Sequence, residues 1–273
     1  MGETSVVVRV FARLIAACRL WFIAGVVGVG LITLMSGASV RAQATTDVDV
    51  ELVLAVDASL SIDAEESALQ RKGYIAALTD PKVIKAIQSG TNGQIAVYYF
   101  EWASEFYQRT IIDWTLIKDE ASARAVADKL AAAPYRGERR TSISGALRFA
   151  AGLFGQSFKG ERRVIDVSGD GRNNSGPPME AIRAEVLAKD IVINGLPILN
   201  DKPSFGGFGG YGGYGPDPNL DKYYQDSVVG GPGSFMIPAD DFESFDRAIL
   251  SKLIREISAN PSRWKFAGAQ SVE

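Results

Sequence analysis

Apolar positions along the chain fall into short continuous runs, separated by stretches with helical spacing. The run Val50-Glu51-Leu52-Val53-Leu54-Ala55-Val56 is uninterrupted from Leu52 and predicts a strand covered on both faces. Ile62, Leu69, Gly73 and Ala76 then share one face of a helix expected from Ser61 to about Leu78, with Asp63 and Glu66 spaced as a capping box. Asp80-Pro81 opens a short second helix. Gln94–Phe100 is a second buried strand, and Thr110–Trp114 a third, expected near an edge. An Ala-rich helix over 119–132, capped by Asp119, is followed by a polar, Arg-dense break from Pro134 to Arg140. Thr141-Ser142-Ile143-Ser144 starts another helix, with Ile143, Leu147, Ala150 and Phe154 on one stripe.

The fourth strand, Arg163–Ser168, stops at Gly169-Asp170-Gly171, ahead of the turn-formers Asn173-Asn174-Ser175-Gly176. A helix from Pro177-Pro178 to about Asp190 and a strand over Ile191–Leu199 follow, with Pro197 marking an edge or an end. Asp221–Ser227 reads as a short helix, and Phe235-Met236-Ile237 as a short last strand. Asp240–Ser258 carries Phe242, Phe245, Ile249, Leu253 and Ile257 at helical spacing, with Asp240 and Glu243 spaced as a capping box. Strands that alternate with helices in this way predict an α/β fold: a doubly wound, mostly parallel central sheet with helices on both faces.

Two segments stand apart from this pattern. Residues 1–44 hold Arg9, Arg13 and Arg19, then the uncharged apolar run Leu20–Met35, then Ala42-Gln43-Ala44, the order expected of a signal peptide cut after Ala44. The expected destination is periplasmic or secreted, with no stable membrane span after cleavage. Residues 204–216 repeat Gly-Gly-aromatic and read as an insertion; the G-x-G-x-x-G match at Gly207, Gly209 and Gly212 arises from the repetition itself. The expected organisation is a signal peptide over 1–44, one domain over 45–260 carrying that insertion, and a loose tail over 261–273.

Composition narrows the chemistry. The 273 residues include no histidine and one cysteine, Cys18. This excludes Ser-His-Asp hydrolysis and zinc sites built on histidine or cysteine. Net charge is −3; residues 1–44 carry four arginines against Glu3, a net of +3, which leaves −6 for the remainder. That balance argues against a nucleic-acid partner.

The chemistry that remains lies where strands end. Asp57-x-Ser59-x-Ser61 places a carboxylate and two hydroxyls on the turn after the first strand. Hard oxygens on a tight turn suit a hard cation such as Mg²⁺. The same residue types serve as helix N-caps, a role open to Ser61 or Asp63. Thr141, at a helix start, and Asp170, after the fourth strand, bring further oxygens to the carboxyl ends of the sheet, where open α/β sheets bind ligands.

D-x-S-x-S, a downstream threonine entering a helix and a later Asp-Gly after a strand together resemble the metal-ion-dependent adhesion site (MIDAS) of von Willebrand factor type A domains. The resemblance spans roughly residues 48–258. The stretches Val167–Asn174 and Val229–Gly233 are similar to an uncharacterised exported bacterial branch of that superfamily. It implies Ser59 and Ser61 as direct metal ligands, Thr141 as a ligand directly or through water, and Asp57 and Asp170 acting largely through water. The implied cation is Mg²⁺, with Mn²⁺ or Ca²⁺ as alternatives. The implied function is non-enzymatic capture of a protein partner that supplies an Asp or Glu. Related domains often have glycines before the threonine, where this chain has Glu138-Arg139-Arg140. The competing readings are a metal-dependent hydrolase, for example a phosphoesterase using metal-bound water, and a scaffold whose metal site is vestigial.

Overall fold

The computed structural model describes residues 45–199 and 217–258. The expected signal peptide, the Gly-aromatic insertion and the tail after residue 260 lie outside the described residues. Five strands form one sheet in the order β3-β2-β1-β4-β5. They are β1 (Thr46–Asp57), β2 (Ile95–Trp102), β3 (Gln108–Ile117), β4 (Phe158–Gly169) and β5 (Ile191–Pro197). All neighbours pair in parallel except β2 and β3, so the expected edge strand β3 is the antiparallel one.

Side-chain alternation explains the continuous apolar run in β1. Val50, Leu52, Leu54 and Val56 face one core, while Val53 and Ala55 face the other. The first core is covered by α1 (Ala64–Leu78), α2 (Pro81–Gln88), α3 (Glu120–Ala132) and α7 (Phe245–Ser258). The second is covered by α4 (Ile143–Ala151), α5 (Met179–Leu187) and α6 (Leu220–Tyr223), which runs on into a π-helical turn over Tyr224–Val228. Ile249 and Leu253 of α7 are fully buried, and truncating either to alanine is expected to cost about 3 kcal/mol.

Local chemistry sets the helix starts. Asp63 caps α1 and forms the expected box with Glu66, Asp80 caps α2, and Asp119 caps α3. Two expectations need correction. The last helix begins at Phe245 rather than Asp240, because Asp241 and Ser244 bond reciprocally through Ser244 N to Asp241 Oδ1 (2.7 Å) and Asp241 N to Ser244 Oγ (3.2 Å). That turn occupies the place expected for an Asp240–Glu243 box. Phe235–Ile237 is not a strand; the segment meets β5 through an isolated bridge of Gly195 with Met236 and through Phe235 N donating to Asn194 Oδ1 at 3.0 Å. Among the described residues, no helix is long and apolar enough to cross a membrane.

One charged cluster lies wholly inside the first core. Lys252 of α7 reaches Asp166 of β4 at 2.6 Å and also pairs with Glu256, and all three side chains are fully buried. Asn194 of β5 donates to Glu256 Oε1 at 2.9 Å. Burial, followed by the negative charge of Glu256, pushes the Asp166 carboxyl up to about 7, against the pull of Lys252.

Candidate functional site

The strand order reverses between β1 and β4, so a crevice opens at their carboxyl ends, where such sheets bind ligands. Asp57 is the last residue of β1, and Asp170 follows the last residue of β4. Asp57 is buried; its Oδ1 accepts from Ser59 N at 2.7 Å, which closes the D-x-S turn. Its Oδ2 is buried with no hydrogen-bond partner among the described residues. The Ser59 and Ser61 hydroxyls lie 2.8 Å apart, and Ser61 Oγ donates to Asp170 Oδ1 at 2.7 Å. Ser61 is therefore not the helix cap, since Asp63 holds that role and leaves the Ser61 hydroxyl to the site.

The charge balance here is unfavourable for the protein alone. Burial, then the negative charge of Asp170, raises the Asp57 carboxyl well above its ordinary value. Burial, with a further contribution from Glu66, pushes Asp170 up to about 6 in spite of the Ser61 hydrogen bond. A buried and a half-buried acid stand at one end of the sheet, one oxygen has no donor among the described residues, and two hydroxyls stand beside them. This donor set fits a hard divalent cation. Among the described residues, no group of three or more His, Cys, Asp or Glu forms a metal site, so the hydroxyls are essential to any such fit.

Gly169 makes the pocket possible. A Cβ on it would stand 2.8 Å from Asp57 Oδ2 and 3.0 Å from the Tyr224 hydroxyl, a second buried oxygen with no partner among the described residues. Tyr224 thus closes the floor of the site from the π-helical turn after α6.

Thr141 is buried immediately before Ser142, the N-cap of α4. The loop after β4 clamps it: Thr141 N donates to Asn174 Oδ1 at 2.9 Å, and Asn174 N donates to Thr141 O at 2.8 Å. Asn173 Oδ1 accepts from Ser144 N at 2.9 Å, and Ser142 Oγ donates to Ser175 O at 2.9 Å. Thr141 Oγ1 lies 3.8 Å from where a Gly171 Cβ would be, which brings it to the loop that carries Asp170. The five sequence-derived residues Asp57, Ser59, Ser61, Thr141 and Asp170 therefore converge on one end of the sheet. Of Asn173 and Asn174, which sequence reasoning took only as turn-formers, Asn174 positions the threonine and Asn173 holds Ser144 in the first turn of α4. Two adjacent asparagines after an Asp-Gly were the available signal.

The Arg-dense break is also part of the site. Glu138 N donates to Ala58 O at 3.1 Å, and Leu60 N to Glu138 O at 3.0 Å, so this strap runs beside the D-x-S-x-S turn like a short extra strand. Arg109 fixes its start through Pro134 O at 2.6 Å, and Arg71 bonds Ala133 O. Both arginines also bond the buried Glu101 at 2.6 Å. Arg140, next to Thr141, has a φ of 77°, a left-handed conformation that is uncommon outside glycine.

A family model described as "Protein of unknown function (DUF1194)" matches residues 47–261. No curated protein matches the chain. Among solved structures, the chain is similar to proximal thread matrix protein 1 from the mussel byssus, in a form with a zinc-occupied MIDAS motif. The TM-score is 0.54 at 15% identity, covering 78% of this chain and 49% of that one. It is also similar to the pilus adhesin SpaC from Lactobacillus rhamnosus GG, with a TM-score of 0.54 at 14% identity, covering 80% of this chain and 31% of that one. The chain thus spans about half the length of the mussel protein, and likeness at this identity is a likeness of fold. The fold is that of a von Willebrand factor type A domain, and the chain belongs to the DUF1194 family.

Proposed function

We propose that this protein is an exported, non-enzymatic binding module that captures an acidic side chain of a protein partner at a divalent cation. The observation that carries this reading is the chain of contacts from Ser59 to Ser61 to Asp170, beside the donor-less Oδ2 of Asp57. Ser59, Ser61 and Thr141 would hold the cation, with Asp57 and Asp170 bracing it, and Mg²⁺ suits this all-oxygen set. When bound, the cation supplies an exchangeable position for a carboxylate. The protein's own groups do the rest. Three neutral hydroxyls would leave most of the ion's charge in place for the ligand, and the Asn174 clamp ties the Thr141 backbone to the loop that carries Asp170. The mussel protein with its zinc-occupied MIDAS supports the cation, and the pilus adhesin supports the binding role. Export rests on residues 1–44, with a periplasmic or secreted destination.

The test is affinity capture from a cell-envelope extract in Mg²⁺, with and without chelator, comparing the wild-type protein with Asp57→Ala. A partner retained only by the wild type, and only with the cation, is the expected result. A partner set that is the same with chelator, or with the variant, would sink the reading.

A further inference from the structure

Among the described residues, two large hydrophobic side chains are exposed, Leu60 at 55% and Phe106 at 88%. Isolated exposed apolar residues are ordinary on a protein surface. These two are not scattered, because both ride on loops that frame the candidate cation site. Leu60 sits inside the D-x-S-x-S turn, between the Ser59 and Ser61 hydroxyls, and its Cδ2 lies 3.0 Å from where a Gly137 Cβ would stand. Phe106 lies in the turn between β2 and β3. That turn is tied to the site twice, by Ser142 N donating to Ala103 O at 2.7 Å and by the Tyr107 hydroxyl donating to Arg136 O at 3.0 Å.

The Tyr135–Arg140 strap touches both loops, bonding Leu60 on one side and Tyr107 on the other. It exposes Arg136, Arg139 and Arg140, which form no ion pair among the described residues. The strap's one acid, Glu138, accepts from the backbone N–H of Arg139 at 2.7 Å. The strap itself thus carries a net positive charge beside the crevice, on a chain whose net charge is −3. Arg140 also keeps a left-handed backbone, a conformation that is uncommon for a non-glycine residue.

We propose that this rim recognises a partner segment in which an acidic residue is flanked by apolar side chains. Leu60 and Phe106 take the apolar flanks, and the three arginines select acidic surroundings by charge complementarity. The proposal rests on the cation reading of the site and adds what the partner looks like on either side of its carboxylate.

The experiment selects phage-displayed random peptides on the immobilised full chain in Mg²⁺, using wild type, the double variant Leu60→Ser/Phe106→Ser, and Arg139→Ser/Arg140→Ser. Circular dichroism and Mg²⁺ calorimetry are run on each protein. Wild type is expected to enrich peptides with Asp or Glu and apolar residues within about three positions of it. The Leu60/Phe106 variant should keep Mg²⁺ binding and bind the selected peptides about tenfold more weakly, as loss of anchor side chains does. The arginine variant should lose the preference for additional acidic positions. Acidic peptides without apolar enrichment, peptide affinity indifferent to Leu60→Ser/Phe106→Ser, or no acidic peptides at all from a protein that binds Mg²⁺ would each overturn the proposal. So would a dimer in sedimentation that Phe106→Ser dissociates, which would assign the rim to a second copy of the chain. Absence of a Mg²⁺ signal in the wild type would instead bring down the underlying cation reading.

Discussion

Ser61 Oγ donates to Asp170 Oδ1 at 2.7 Å, although 109 residues separate them in the chain. That bond joins the turn after β1 to the turn after β4 at the point where the sheet changes direction. It also fixes the Ser61 hydroxyl beside Ser59. Ser61→Ala removes both contacts from a partly exposed position, so a stability loss of about 1 kcal/mol is expected. Affinity for Mg²⁺ should fall by more than tenfold, because a ligand and the brace on Asp170 go together. Thermal unfolding and calorimetry on the same sample separate the two effects.

Gly169→Ala tests the close packing under the site. The added methyl would press on Asp57 Oδ2 and the Tyr224 hydroxyl, which are 2.8 Å and 3.0 Å from its position. A loss of 1–3 kcal/mol, about what overpacking a core costs, is expected in urea denaturation, with Mg²⁺ binding lost or strongly weakened. Unchanged stability and binding would mean that the floor of the site is looser than these distances require.

Asn174→Ala leaves the five oxygen-bearing residues intact and removes the side-chain half of the Thr141 clamp. The Thr141 N–H then has no partner, and a loss of about 1–2 kcal/mol is expected. Mg²⁺ affinity should fall several-fold, in contrast to an exposed control such as Asn92→Ala, for which no change is expected at this site. Calorimetry on both variants gives the comparison.

The buried Asp166 gives a pH dependence of known sign. Its carboxyl is raised from 3.8 to about 7. Between these values the native state retains a proton that the unfolded chain has released. Stability from this group is therefore fully present below about pH 4 and is lost as pH rises through about 7, with a slope of at most about 1.4 kcal/mol per pH unit. Asp166→Asn is expected to flatten that part of the profile while keeping the fold. A variant whose slope between pH 4 and 7 matches wild type would contradict this assignment.

Sequence periodicity carried the fold well where the cause was local. The run from Leu52 to Val56 was uninterrupted because both faces of β1 are covered, and Asp63, Asp80 and Asp119 announced their helices by capping chemistry. The oxygen donors Asp57, Ser59, Ser61, Thr141 and Asp170 were legible because each lies at a strand end or helix start. What surrounds them was not. The strap from Pro134 to Arg140 looked like a polar break because its order comes from long-range bonds to Ala58, Leu60, Arg109 and Tyr107. Lys252 and Glu256 fall on the buried stripe of α7 with Ile249 and Leu253, yet charged residues at such positions are ordinarily solvated. Only the partner across the core, Asp166, explains them. The start of α7 was misplaced because Asp240 and Asp241 present equivalent caps in sequence, and the choice fell to Ser244.

The most direct measurement is a calorimetric titration of the protein with Mg²⁺, in wild type and in Asp57→Ala, with circular dichroism and thermal unfolding as controls. One saturable site per chain in the wild type, absent from a variant that remains folded, is the expected result. No binding in the wild type, or the same affinity in Asp57→Ala, would contradict a cation site built on Asp57, Ser59, Ser61, Thr141 and Asp170.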